Sequence, residues 1–306
     1  MTQLNISAVS KIRTALRRGT GAVLLFVLAG CSAFQTETTS PEKPKSTAVA
    51  LPPIASPGKY AHRESQYVFY SDYPLESNLP LFKELGELRE QICSELKLPL
   101  HTSNNFIQVF LFEDEERYEK FMRSRYSELP VRRAFFIKQP RNTGGMDDLL
   151  VFTYRGKDMR QDLRHELTHG FLHSVLKDVP LWLDEGLAEI YELSPEKNGV
   201  NRDHLTQIRT GLFEPDMAKL EQLSEVKQML RPQYREAWAW VHFMLRGKPE
   251  SKAVLLSYLQ QLRNPNPPGQ LLPKLREVYP EPNEAMVEHL SKMEAPRSVR
   301  ASSEKP

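Results

Sequence analysis

Apolar positions change period along this chain, and the change divides it into two halves. In Tyr67-Val-Phe-Tyr70 and Ile107-Gln-Val-Phe-Leu-Phe112 they come in short runs rich in β-branched and aromatic residues, the signature of strands. Arg133-Ala-Phe-Phe-Ile137 and Leu149-Leu-Val-Phe-Thr-Tyr154 repeat that signature around a Gly-Gly loop at 144–145. Between the first two runs, residues from about Leu79 to Leu96 recur at three- and four-residue spacing and predict a helix. Asp114 is placed to cap a second helix that runs to about Arg123. From Asp158 onward the period is helical, with breaks at Pro180, Pro195, Pro232 and the Asn264–Gly269 loop. A small mixed sheet at 59–157 leading into a helical half at 158–294 predicts an α+β domain over 59–294.

The two ends of the chain lack this patterning. Residues 31–58 are rich in Thr, Ser, Pro and Lys, which predicts a disordered tether, and 295–306 resembles it. Residues 1–30 carry Lys11, Arg13, Arg17 and Arg18, no acid, and then the apolar run Ala22–Ala29. That run is far short of the ~20 residues a membrane-spanning helix needs, and its basic start makes it a secretory signal. Its end, Leu28-Ala29-Gly30-Cys31, resembles the bacterial lipobox. The resemblance implies cleavage before Cys31, acylation there, and a lipoprotein held at the membrane of the cell envelope, facing periplasm or exterior.

Charge then reads differently. Of a formal net charge of +2, the leader supplies four positive charges, so the remainder is slightly acidic. A near-neutral body carries no electrostatic footprint for nucleic acid. Only Cys93 remains beside Cys31, so the expectation is a fold held by its core, with Cys93 as a buried small residue of the first helix.

The candidate chemistry lies just past the last strand, in His165-Glu-Leu-Thr-His169. Residues four apart on a helix share a face, so both imidazoles can converge on one ion with bonds of ~2.0–2.1 Å. Glu166 sits beside them, where it can activate a water molecule. Leu163, Leu167, Leu172, Val175 and Leu176 predict a packed amphipathic helix around the motif. A catalytic zinc site takes a third protein ligand. His173 is eight residues, ~12 Å of helix, from His165 and cannot share its ion. A histidine six residues after His169 is ruled out because Val175 occupies that position. Glu185, in Leu183-Asp-Glu-Gly-Leu-Ala-Glu189, is the candidate left.

The segments His165–His169 and Trp182–Glu189 together resemble the gluzincins, the thermolysin- and aminopeptidase-like metallopeptidases, and most of all the peptidase MA-like families that include bacterial lipoproteins. The resemblance covers about residues 60–250, although its specific motifs occupy only 165–189. It implies a zincin-like fold and a zinc ion held by His165, His169 and Glu185. It also implies that Glu166 is the general base, that Glu189 orients a ligand imidazole, and that a downstream Tyr or His steadies the oxyanion. Tyr234 and His242, in Tyr234-Arg-Glu-Ala-Trp-Ala-Trp-Val-His242, are the candidates for that last part. Two departures stand out. Only fifteen residues separate His169 from Glu185, and Asp184 stands where many relatives carry asparagine. Asp184 and Glu192 read as surface charges. The strand Ala134–Ile137 is a candidate edge on which an extended peptide docks.

These readings predict a zinc metallopeptidase acting on peptide or protein substrates at the envelope. The alternatives are a non-catalytic lipoprotein that retains a metal site for a binding or scaffold role, and a zinc amidase acting on cell-wall material.

Overall fold

A computed structural model describes residues 4–5, 54–100, 105–141 and 145–293. The tether up to residue 53, with Cys31, the Gly-Gly loop as far as residue 144, the tail 295–306 and all of the leader but Leu4–Asn5 lie outside the described residues. The chain folds as an α+β unit, with a small mixed sheet leading into a helical C-terminal half. No helix among the described residues is long and apolar enough to cross a membrane.

Five strands build the sheet: β1 (Tyr60–Glu64), β2 (Tyr67–Ser71), β3 (Ile107–Phe112), β4 (Ala134–Gln139) and β5 (Asp148–Tyr154). Their order is β4-β5-β3-β2-β1, with Leu4–Asn5 paired in parallel outside β4. β2, β3 and β5 are parallel, Tyr67 facing Ile107 and Ile107 facing Leu149, while β1 and β4 run antiparallel to their neighbours. The crossover from β2 to β3 is helix α1 (Leu79–Leu96), and α2 (Glu115–Arg125) follows β3. Asp114 caps α2 as expected, its Oδ1 accepting the Arg117 amide at 2.8 Å. β1 was not predicted from the sequence. Its His62, Arg63 and Glu64 give no apolar run, and such charge suits an edge strand that must not recruit further strands.

Strand side chains alternate between faces, so the sheet serves two cores. Phe112, Phe135, Ile137 and Phe152 pack with Tyr118 and Phe121 of α2 on one face. Ile107, Val109, Leu111, Phe136 and Val151 face the larger core. There lie α1, α3 (Met159–Val175), α4 (Leu181–Tyr191), α5 (Arg202–Thr210), α6 (Met217–Leu220), α7 (Arg231–Arg246), α8 (Pro249–Gln261), α9 (Leu272–Arg276) and α10 (Pro282–Lys292). Cys93 is buried in α1.

The predicted amphipathic character of α3 is corrected. Every residue from Asp162 to Leu172 is buried, because β4 and β5, α1 and α4 all pack around it. Gly170 lets it lie close on β3, since a Cβ there would stand 3.1 Å from Ile107 Cδ1. A helix with no solvent face has no use for five polar side chains between 164 and 169 unless they are partnered or employed.

Candidate metal centre

Helix α3 supplies one half of the centre and α4 the other. His165, His169 and Glu185 are all buried, and each offers an atom within 4.8 Å of the others'. Glu185 Oε2 stands 3.6 Å from His165 Nε2 and 3.6 Å from His169 Nε2. Pro180 caps the start of α4, bringing the chain back within the short link. The close approach of α4 to α7 depends on Gly186, where a Cβ would fall 2.6 Å from the Ala237 carbonyl oxygen and 2.7 Å from Val241 Cγ2.

Both rings are held from behind. His165 Nδ1 lies 2.8 Å from Glu192 Oε2, and His169 Nδ1 lies 3.0 Å from Asp184 Oδ2. At His165 the Glu192 carboxylate hydrogen-bonds Nδ1, which fixes the proton there and leaves Nε2 as a bare donor to a metal, whereas Asp184 lies beside His169 Nδ1 as a charge contact. Asp184 also meets His173 Nε2 at 3.2 Å, and Glu192 also accepts Gln161 Nε2 at 2.6 Å. Neither acid is a surface charge; both are buried. The orienting role expected of Glu189 is therefore corrected. Its Oε2 serves His204 Nε2 at 3.1 Å and Asn201 Nδ2 at 3.3 Å instead. The sequence did hold a signal. Glu192 lies seven residues after Glu185, hence two turns along one helix face, a spacing as good as the four residues to Glu189.

The buried ligand atoms test whether a metal fits. His165 Nε2, His169 Nε2 and both Glu185 oxygens have no hydrogen-bond partner. Four orphaned polar atoms in one place are costly, at about 1–3 kcal/mol each, and two imidazoles with a carboxylate are a zinc-type donor set. The charges agree. Burial pulls the His169 ring down, yet Asp184, Glu185 and Glu166 outweigh it and raise the ring to about 9. His165, where burial prevails over Glu185, falls to about 4. The acids around these rings favour a positive charge at His169.

Glu166 is wholly buried, and neither of its carboxylate oxygens has a hydrogen-bond partner. Burial raises its pKa, with the charge of His169 opposing. Two cationic clamps brace the surroundings. Arg164 donates from Nη1 to Glu84 Oε1 at 2.9 Å, from Nη2 to the Leu193 carbonyl at 2.7 Å and from Nε to the Glu192 carbonyl at 3.2 Å. The end of α4 is thereby tied to α3. Arg133, just before β4, bonds Asp158 and Asp162 at 2.8 Å each, tying the outer strand to the first turn of α3.

The two oxyanion candidates part company. Tyr234 is half-buried in the first turn of α7 against the large core. It lies three residues before Ala237 and seven before Val241, and so on the stripe turned to Gly186. His242 instead holds His289 Nε2 at 3.0 Å through Nδ1, and its Nε2 has no partner. Neither of its ring nitrogens bonds the trio. Burial, with His289 beside it, lowers the His242 pKa to about 3. No family model and no curated protein matches the chain.

Proposed function

We propose that this protein is a zinc-dependent hydrolase, a metallopeptidase of zincin-like construction that cleaves peptide bonds at the bacterial cell envelope and is anchored there through Cys31. One observation carries the reading: the unpartnered ligand atoms of His165, His169 and Glu185 converge beside an equally unpartnered Glu166 carboxylate. A purely structural site has no reason to keep a buried free acid next to its ligands.

His165, His169 and Glu185 would hold the zinc, which when bound supplies Lewis-acid polarisation of a carbonyl and a lowered pKa for water. Glu192 keeps the His165 ring in the ligating tautomer, and Asp184 stands as a charge beside the His169 ring. Glu166, with its raised pKa, accepts a proton from the attacking water and returns it to the leaving nitrogen. Burial excludes competing bulk water, which strengthens each of these electrostatic contacts. Tyr234 is the donor assigned to the oxyanion of the tetrahedral intermediate. Leu4–Asn5 pairs with β4 only at Ile137 and Lys138, so the Ala134–Phe136 part of β4, next to the Arg133 clamp, is the backbone edge on which an extended substrate would align.

The test combines elemental analysis with cleavage of a peptide library by the purified chain. Wild-type protein should bind one zinc and cut peptides in a chelator-sensitive way. Glu166→Gln should keep the zinc and lose turnover by at least about 10²-fold, and Glu185→Gln should lose the zinc. Full zinc loading with no cleavage of any peptide would leave a metal-holding binding protein, and unchanged zinc in Glu185→Gln would remove the ligand assignment.

A further inference from the structure

The outer face of the sheet, turned away from α3, is incompletely covered. Along β2 and β3 the inward side chains Tyr67, Phe69, Ile107, Val109 and Leu111 are fully buried, whereas Val68, Tyr70 and Phe110 between them are only half-buried. Leu150 of β5 matches them. Helix α2 rests on β3 and β5, with Tyr118 against Phe112 and Phe121 against Phe152. Towards β2 the face continues as an aromatic row in register. Tyr70 is opposite Phe110 and Phe110 opposite Phe152, their rings stacked at 5.3 and 5.0 Å.

The chain enters the domain on this face. Ile54, half-buried, packs against the core that Phe112 and Phe152 share with α2. The Ala55 carbonyl accepts Arg117 Nη2 at 3.2 Å, and the same guanidinium holds Asp72, just past β2, at 2.6 and 2.8 Å. Ile54 and Ala55, predicted as tether from the sequence, are therefore part of the domain's surface. The residues just before them, 48–53, lie outside the described residues and read Ala-Val-Ala-Leu-Pro-Pro. Residues 35–47 hold no Val, Leu, Ile, Met or Phe, so the apolar surface of the tether next to the domain is concentrated in 48–53. Six extended residues reach about 19 Å, more than the ~14 Å across β5, β3, β2 and β1 at ~4.8 Å per strand. Pro-rich segments suit aromatic surfaces because they are extended before they bind and lose little entropy on docking.

We propose that residues 48–53 of this chain dock on the outer sheet face across Tyr70 and Phe110, with Val49 and Leu51 as the anchoring side chains and Ile54 as the end already seated. Only residues 32–47 then serve as free tether. Helix α3 packs on the opposite face, so the docked segment sits across the sheet from the candidate metal centre. Docking does not depend on the hydrolase reading; its consequence rests on the anchoring part of that reading. With Cys31 acylated, docking cuts the greatest reach of the tether from about 79 Å to about 58 Å at ~3.6 Å per residue, and fixes the face of the domain from which the tether departs.

Spin-label mobility on the full chain tests this. With Cys31→Ser in place and Cys93 buried, a nitroxide attaches at Ala50→Cys or, as a control, at Ser46→Cys. The label at 50 should be mostly immobilised and the label at 46 mostly mobile. Val49→Ser combined with Leu51→Ser, both outside the described fold, should lower the ratio of immobilised to mobile label at 50 by at least about tenfold, the effect of returning two aliphatic side chains to water. Tyr70→Ser should lower it in the same direction. Ile54 is unchanged in every variant, so its own seating cannot produce these differences. A label at 50 as mobile as that at 46, or one immobilised equally in all the variants, would overturn the proposal. So would immobilisation that is lost on dilution, which would assign the face to a second copy of the chain. Zinc content and peptide cleavage of the wild type report the hydrolase reading separately.

Discussion

Around the metal centre the residues beyond the ligands decide how well it holds. Glu192 hydrogen-bonds His165 Nδ1 and Asp184 stands 3.0 Å from His169 Nδ1, and outer partners of this kind typically carry 10- to 100-fold in metal affinity. Asp184→Asn and Glu192→Gln should each weaken zinc binding by about that factor, whereas Glu189→Gln, which removes only the bonds to His204 and Asn201, should leave it unchanged. Competition with a chromophoric chelator measures all three. His242 makes a separate prediction through pH. Its pKa falls from 6.5 to about 3 on folding, so the unfolded chain binds the proton first as the solution is acidified. Its contribution to stability is therefore complete above pH 6.5 and is lost as pH falls towards 3. Urea midpoints for His242→Phe should vary less between those limits than midpoints for the wild type. At this scale the sequence exposed the three side chains that converge but not the acids behind them. Two histidines four apart announce themselves, while a lone acid reads as solvated until its depth is known. Asp184 and Glu192 look no different from Glu189 until the packing of α4 against α3 decides which of them face inward.

Elements were more legible than their burial. The helix Leu79–Leu96 and the strand Ile107–Phe112 fall where apolar periodicity put them, because each has one face on the core and its pattern records that face. Helix α3 defeats the same logic. Buried on all sides from Asp162 to Leu172, it carries polar side chains away from water, so periodicity reports the wrong environment. β1 was missed for the opposite reason, being too polar to register as a strand. The α4–α7 contact yields a sharp prediction. Gly186→Ala would place a methyl against the Ala237 carbonyl and Val241, so the helices must separate, and a loss of about 1–3 kcal/mol is expected from chemical denaturation. Arg164 makes a second. Arg164→Met would take the donors from the carbonyls of Glu192 and Leu193, while the partly exposed Glu84 would keep Arg160. Losing donors to such carbonyls costs about 1–3 kcal/mol each, and the loss should exceed that for Arg160→Met, whose side chain is 62% exposed.

For the molecule as a whole, the centre bridges the two halves of its folding problem. α3 packs on the sheet, α4 packs on α7 and the rest of the helical half, and the candidate ligands His165, His169 and Glu185 are divided between them. An ion bound only by the folded state stabilises it by mass action, about 2.7 kcal/mol when free zinc is a hundredfold above its dissociation constant. Calorimetry should therefore show Tm rising with added zinc in the wild type and remaining flat in Glu185→Gln. The α+β arrangement was visible from the switch in period near Asp158, but the strand order, with Leu4–Asn5 paired beyond β4, was not, since it depends on contacts between residues far apart in sequence.

Asp184 has the last word on rigidity. One carboxylate grips two imidazoles a single turn apart on the neighbouring helix, so α4 cannot roll or slide along α3 without surrendering both grips together. Such a latch has no half-open position. Local breathing of the centre should be rare and all-or-none, and amide exchange in α3 and α4 should proceed through one shared opening event with a common free energy.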